Sequence, residues 1–273
     1  MSADLSADGS TLVFRRLFDL YRMDVRSGAV TGPLAIRRTG EAIHPRTRTE
    51  TLSKATQVAF SDDGREIAFI AGGDLWVMDT VLKEPRRVTD TPEEERDPVF
   101  SPDHGAILFV SWSGGQCDLW SAARTDAKKH WWQNRSFKLQ RLTDDPALEF
   151  GPRFVPGGRV AFTDLRGDLW TMESDGRDAR LLLESWNLPS YTFSPDGKWV
   201  AYARDDRNHN RDVWIMPVDG SAPAVNVSMH PDWEGNPAWS PDGRMLAFVG
   251  RRNRDESDIH FLFLRKADED ASK

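Results

Sequence analysis

Ser194-Pro195-Asp196-Gly197-Lys198-Trp199-Val200-Ala201-Tyr202 reads as a tight turn running into a strand. Proline presets φ, the aspartate side chain bonds back to the backbone, and glycine takes the left-handed position that other residues resist. Ten residues on, Asp212-Val213-Trp214-Ile215-Met216 reads as a second strand with alternating faces. This pair of landmarks recurs. Ser6-Ala7-Asp8-Gly9, Ser61-Asp62-Asp63-Gly64, Ser101-Pro102-Asp103 and Ser240-Pro241-Asp242-Gly243 repeat the turn, each before an apolar run such as Ile67-Ala68-Phe69 or Leu246-Ala247-Phe248. Two copies depart from it. His104 stands where glycine is expected, and Val155-Pro156-Gly157-Gly158 lacks the aspartate. The second landmark returns as Asp19-Leu20-Tyr21, Asp74-Leu75-Trp76, Asp118-Leu119-Trp120, Asp168-Leu169-Trp170 and Asp258-Ile259-His260. A third closes several units, as Arg87-Val88-Thr89-Asp90, Arg141-Leu142-Thr143-Asp144 and Arg180-Leu181-Leu182.

From Ser6 the turns recur at spacings of 55, 40, 54, 39 and 46 residues. A period of ~40–50 residues with four short strands per unit is the signature of a propeller blade. The expected fold is therefore all-β: a β-propeller of six visible four-stranded blades over residues 1–265, followed by a polar tail, 266–273. Part of a seven-bladed propeller is the alternative. Insertions near 39–56 and 124–138 account for the long spacings. Trp76, Trp120, Trp170 and Trp214 fall at one site per blade and are expected to pack between neighbouring sheets. Only four residues precede the first inner strand, too few to add an outer strand to the last blade. A ring cut from a larger one would expose blade edges, so self-association through them is expected.

Composition narrows the function. Of 273 residues, 43 are acidic and 36 basic, a net charge of −7, whereas nucleic-acid binders carry a basic excess. No apolar run approaches the ~18 residues that cross a bilayer. The N-terminus shows no basic-then-apolar leader, which points to the cytoplasm; the periplasm is the alternative if the native N-terminus lies elsewhere. One cysteine, Cys117, excludes an internal disulfide framework and a cysteine zinc cluster.

The motifs Ser-Pro-Asp-Gly, Ile67-Ala68-Phe69, Asp74-Leu75-Trp76-Val77-Met78-Asp79 and Arg141-Leu142-Thr143-Asp144 resemble blades of TolB and of the tricorn protease family, over nearly the whole chain. The blades Gly73–Asp79 and Trp199–Tyr202, and the one carrying Lys128-Lys129-His130-Trp131-Trp132-Gln133, are most similar to propellers of bacterial tricorn-like serine peptidases. The resemblance implies a non-catalytic module that binds or gates peptides for such a peptidase. Its partners would be a peptide or protein and the PDZ and peptidase domains of a longer parent chain. The alternative is a TolB-like scaffold for protein–protein interaction in the cell envelope.

Catalytic and cofactor motifs are missing from the sequence. Ser111-Trp112-Ser113-Gly114-Gly115 lacks the first glycine of a nucleophile elbow, no His-Glu-x-x-His or phosphate-binding loop occurs, and the six histidines are scattered. No cofactor is expected. Asp205–Asp212 supplies oxygen ligands but lacks the glycine and closing glutamate of a calcium loop, so it reads as a solvated hairpin. Two regions remain as candidate sites. Loops leading into the inner strands, 91–97, 145–151, 184–190 and 230–236, offer Glu94, Glu95, Glu149, Trp186, Trp233 and Glu234, and the loops joining second and third strands add Arg204, Arg207, Arg251 and Arg252. Mixed charge with aromatics at one mouth suits an extended peptide. The second region is Lys128, Lys129, His130, Trp131 and Trp132, two adjacent tryptophans in a polar insertion. It reads either as an interface anchor or as a flap covering its own blade.

Overall fold

The computed structural model describes residues 3–16, 19–35, 51–206, 208–253 and 256–272, with backbone alone at 252 and 253. Residues 1–54 with 113–116 form one compact unit, and 55–112 with 117–273 a second. The first unit holds blade 1, a four-stranded sheet of Ala3–Leu5, Thr11–Arg16, Asp19–Asp24 and Val30–Thr31. None of its described residues is fully buried.

The second unit contains five antiparallel sheets in succession. Blade 2 comprises Gln57–Phe60, Glu66–Ala71, Asp74–Asp79 and Arg86–Arg87, and blade 3 Glu95–Phe100, Ala106–Ser111, Asp118–Arg124 and Phe137–Arg141. Blade 4 comprises Glu149–Phe154, Arg159–Asp164, Leu169–Glu173 and Arg180–Leu183, and blade 5 Ser190–Phe193, Trp199–Asp205, Arg211–Pro217 and Val225–Asn226. Blade 6 has three strands among the described residues: Glu234–Trp239, Met245–Asn253 and Glu256–Phe263. There the expected fourth strand gives way to a short helix, Lys266–Ala271, whose Lys-Ala-Asp-Glu-Asp-Ala sequence is polar and lacks the β-branched residues that favour strands.

The five turns that begin with serine are braced as their chemistry suggests. Ser194 Oγ donates to Asp196 Oδ1 at 2.6 Å and accepts the Trp199 N–H at 3.0 Å, and Asp196 Oδ1 accepts the Lys198 N–H at 3.1 Å. The brace recurs at Ser6, Ser61, Ser101 and Ser240. These bonds, the serine hydroxyl foremost, hold the Asp196 carboxyl below its usual range. His104 takes the left-handed slot itself at φ 56°, and its Nε2 accepts the Asp62 N–H at 3.2 Å. Gly197 is required twice over: φ is 69°, and a Cβ there would meet the Pro156 carbonyl oxygen at 2.2 Å.

The second strands explain the apolar runs. Ile107 and Phe109 join the core between blades 2 and 3, whereas Leu108 and Val110 join the core between blades 3 and 4. The pattern repeats in blade 5, where Val200 and Tyr202 face blade 4 and Ala201 and Ala203 face blade 6. A strand sandwiched on both faces is apolar at successive positions rather than alternating with polar residues. Trp120, Trp170 and Trp214 pack, partly buried, on the core shared with the preceding blade.

Candidate functional site

The third landmark and the glutamates form a polar brace between blades. The Leu75 N–H donates to Thr89 Oγ1 at 2.9 Å, and Arg87 pairs with Asp74 at 2.5 Å. Thr89 Oγ1 donates to Glu95 Oε2 at 2.9 Å, crossing from the end of blade 2 to the start of blade 3. Thr143 makes the same bond to Glu149, and Arg141 pairs with Asp118 at 2.7 Å. Glu95, Glu149 and Glu234 are all buried, at 0%, 1% and 0% exposure. The expected place of these three carboxylates at an open mouth is thus corrected. Each begins an inner strand, and Glu95 and Glu149 point into a blade junction, because a carboxylate can collect the hydroxyl and N–H donors that a repeated junction presents.

Two residues beyond each glutamate the inner strand bulges. Asp97, Gly151 and Asn236 adopt φ of 52°, 58° and 53°, the residue types that tolerate left-handed backbone. The ladder registers shift at the same places. The bulges tie inner strands together: Gln57 Nε2 donates to Asp97 Oδ1 at 2.8 Å, Asp97 Oδ2 accepts the Gly151 N–H at 3.1 Å, and Ser190 Oγ accepts the Asn236 N–H at 3.3 Å.

Several of the remaining mouth residues are exposed and meet across blades 4, 5 and 6. Trp186 is 58% exposed and stands edge-on to His209, with ring centroids 6.2 Å apart. Its neighbour Asn187 bonds Asp205, and Arg211 Nη1 lies 3.4 Å from the same carboxylate. Gly167 lies against the Asn187 backbone, which brings the 165–168 loop alongside. Asn210 Nδ2 donates to the His230 carbonyl at 3.3 Å, and Trp233 bridges to Arg211. Leu165, Leu188 and Met229 are exposed on these same loops. Glu94 and Arg251 are exposed, and the Arg251 N–H donates to the Trp233 carbonyl at 3.1 Å. Arg204 is half-buried over the rings of Tyr202 and Trp214, at 5.9 and 5.3 Å, and so serves packing. Arg207 and the Arg252 side chain lie outside the described residues. In the hairpin 205–212, Asp206 Oδ1 accepts the Asn208 and Asn210 N–H groups.

Against these sites stand several comparisons. No family model matches the chain. A tricorn protease homolog of Saccharolobus solfataricus is 26% identical over 109 residues, 39% of this chain and 10% of that protein. Dipeptidyl-peptidase 5 of Porphyromonas gingivalis is 23% identical over 315 aligned residues, 92% of this chain and 45% of that protein. The crystal structure of the tricorn protease superposes with a TM-score of 0.60 at 13% identity, over 95% of this chain and 26% of that one. TolB from Acinetobacter baumannii superposes at 0.51 and 18% identity, over 90% of this chain and 57% of that one. The fold is a tricorn- and TolB-like β-propeller. This propeller spans less than half the length of those curated relatives. No described helix is long and apolar enough to cross a membrane.

The insertion of blade 3 resolves differently for its two tryptophans. Trp131, on a single 3₁₀ turn Trp131–Gln133, is 0% exposed and belongs to the core between blades 2 and 3. The covering flap, not the interface anchor, describes this residue. A 12-residue insertion between two strands is long enough to fold back, and burying an indole with its N–H bonded is favourable. Trp132 stays half-buried, and Lys128, Lys129 and His130 are exposed. Those four remain available to a partner.

Proposed function

We propose that this chain is a non-catalytic propeller module that binds peptide segments at the lead-in-loop end of blades 4 to 6. PDZ and peptidase domains of a longer protein would carry the hydrolysis. The observation that carries this reading is the exposed apolar group Trp186, Leu188, Leu165 and Met229, joined across three blades by loop contacts. Contiguous exposed apolar surface marks a binding site, and tryptophan is favoured at its centre. A non-catalytic role is supported by the turn serines, whose hydroxyls are committed to their own aspartates. Partial likeness to curated peptidases supports the peptide as ligand.

Trp186→Ala is expected to weaken binding of extended peptides about tenfold, or about 1.4 kcal/mol, with the melting temperature unchanged. Calorimetric titration of a peptide panel measures this. Affinity unchanged in both Trp186→Ala and Trp233→Ala would overturn the placement. Labelling of one serine by a fluorophosphonate would overturn the non-catalytic reading.

A further inference from the structure

Blade 6 presents an open strand edge that blades 2 to 5 do not. In each of those blades the third strand is paired on its outer side by a fourth. In blade 6 the third strand, Glu256–Phe263, is paired only with Met245–Asn253 among the described residues. The helix Lys266–Ala271 follows at the turn end of that strand, where Asp268 lies 3.5 Å from Arg244. Ile259 and Phe261 are 77% and 64% exposed, whereas Leu75 and Val77, at the same positions of blade 2, are 0% exposed. An unpaired edge offers backbone donors and acceptors that another chain can complete.

Three occupied copies of this edge specify what fits it. The Leu75 carbonyl accepts the Val88 N–H at 2.8 Å, the Leu119 carbonyl the Leu142 N–H at 2.8 Å, and the Val213 carbonyl the Val227 N–H at 2.9 Å. The N–H groups of Leu75, Leu119 and Val213 in turn donate to the hydroxyls of Thr89, Thr143 and Ser228, each at 2.9 Å. Val88, Leu142 and Val227 pack in the same apolar cores as their third-strand partners. Before them stand Arg87, Arg141 and Asn226, opposite Trp76, Trp120 and Trp214. Arg87 and Arg141 reach Asp74 and Asp118 at 2.5 and 2.7 Å. The filling segment is thus a polar residue, arginine in two of the three, then valine or leucine, then threonine or serine.

Blade 6 keeps the receiving half of this arrangement. Ile259 pairs with Val249 in the register by which Leu75 pairs with Ile70, Leu119 with Val110 and Val213 with Ala203, so its N–H and carbonyl face the open edge. Asp258 is exposed and stands where Asp74 and Asp118 hold their arginines. Arg251 follows Gly250, the ladder partner of Asp258, yet the Asp258 carboxylate makes no ion pair or hydrogen bond among the described residues. In a second copy of the chain the three filling segments are already paired within their own blades, which leaves this edge to a different protein.

We propose that the third strand of blade 6 is a strand-addition site for an extended segment of a partner protein that carries arginine, then valine or leucine, then threonine. The arginine pairs with Asp258, and the threonine hydroxyl accepts the Ile259 N–H. Main-chain bonds supply affinity in such an addition, and side chains supply selection. The site uses neither Trp186 nor Trp233 and is tested apart from the lead-in-loop reading.

The test is calorimetry on the full chain with a synthetic peptide copying residues 84–91, Glu-Pro-Arg-Arg-Val-Thr-Asp-Thr. This parent peptide is expected to bind, and two altered peptides about tenfold or more weakly. One is N-methylated at Val88, which removes the N–H meant for the Ile259 carbonyl; the other carries Arg87→Glu. Asp258→Arg in the chain reverses the order of the parent and Arg87→Glu peptides, which a misfolded variant would not do. Trp186→Ala leaves binding unchanged. No binding of the parent peptide, equal binding of the N-methylated one, an order unchanged in Asp258→Arg, or loss in Trp186→Ala overturns the site. Self-association of the free chain that disappears in Asp258→Arg assigns the edge to a second copy and overturns the foreign partner.

Discussion

Glu95 and Glu149 hold the same position in successive blades, and their surroundings treat them differently. Glu95 receives three hydroxyls: Thr89 at 2.9 Å, Thr91 at 2.8 Å and Ser111 at 3.2 Å. Glu149 receives one, from Thr143. Where blade 3 is served by Thr91 and Ser111, blade 4 presents Asp145 and Asp164. Glu149 Oε1 is buried with no hydrogen-bond partner among the described residues. Burial, with the charges of Asp145 and Asp118 added, pushes the Glu149 carboxyl up to about 8, while the Thr143 hydroxyl pulls against it. Burial also raises Glu95, opposed by its three hydroxyls. Both slots raise the carboxyl; three hydroxyls oppose the shift at Glu95 and one opposes it at Glu149, where the charges of Asp145 and Asp118 add to burial.

The largest expected effect separates the two junctions by their apolar content. Trp131→Ala should cost ~3–5 kcal/mol, because the blade 2–3 junction is plugged by that indole and the blade 3–4 junction has no such plug. Trp132→Ala, half-buried, should cost less than about 1 kcal/mol. Denaturant unfolding compares them; equal midpoints would break the contrast.

Next in size is the dependence on pH. Folded Glu149 holds its proton up to about 8, and the unfolded residue releases it near 4.5. Between these values the unfolded chain binds fewer protons, so stability falls as pH rises, by up to about 1.4 kcal/mol per pH unit. Glu149→Gln, which cannot ionise, should flatten that slope and be more stable than the parent at pH 8. A slope unchanged in Glu149→Gln would remove Glu149 as its source.

The smallest effect tests the other glutamate. Glu95→Gln should destabilise by about 1–2 kcal/mol at pH 7, since an amide offers one acceptor oxygen to three hydroxyl donors. Stabilisation by this substitution would put both glutamates in one class.

The propeller was legible because its turns depend on chemistry that leaves a trace. Ser, Asp and Gly at fixed offsets announce a brace wherever they recur. The glutamates were harder to place, since a charge in a loop-like stretch looks solvated. Their trace was recurrence: Glu95, Glu149 and Glu234 each stand five residues before the aromatic that ends the inner strand. A charge repeated at one offset in several units belongs to the joints between them. Trp186 breaks the repeat, has no counterpart in its neighbours, and is exposed. Trp131 also breaks it and is buried, because the length of its insertion, not its composition, let it turn inward. Nothing local in His-Trp-Trp-Gln distinguishes the indole that plugs the junction from the one that does not.

The two-faced second strands make each blade a shared wall. Ile107 and Phe109 belong to one seam, and Leu108 and Val110 to the next. Two interface codes are thus interleaved in four consecutive letters, and a lesion at one position addresses one seam alone. Stability in such an array passes from neighbour to neighbour, as in a one-dimensional chain of coupled units. Amide exchange should then report damage by parity. A fault at Phe109 would loosen protection in blade 2 and one at Val110 in blade 4, although the two residues are adjacent in the chain.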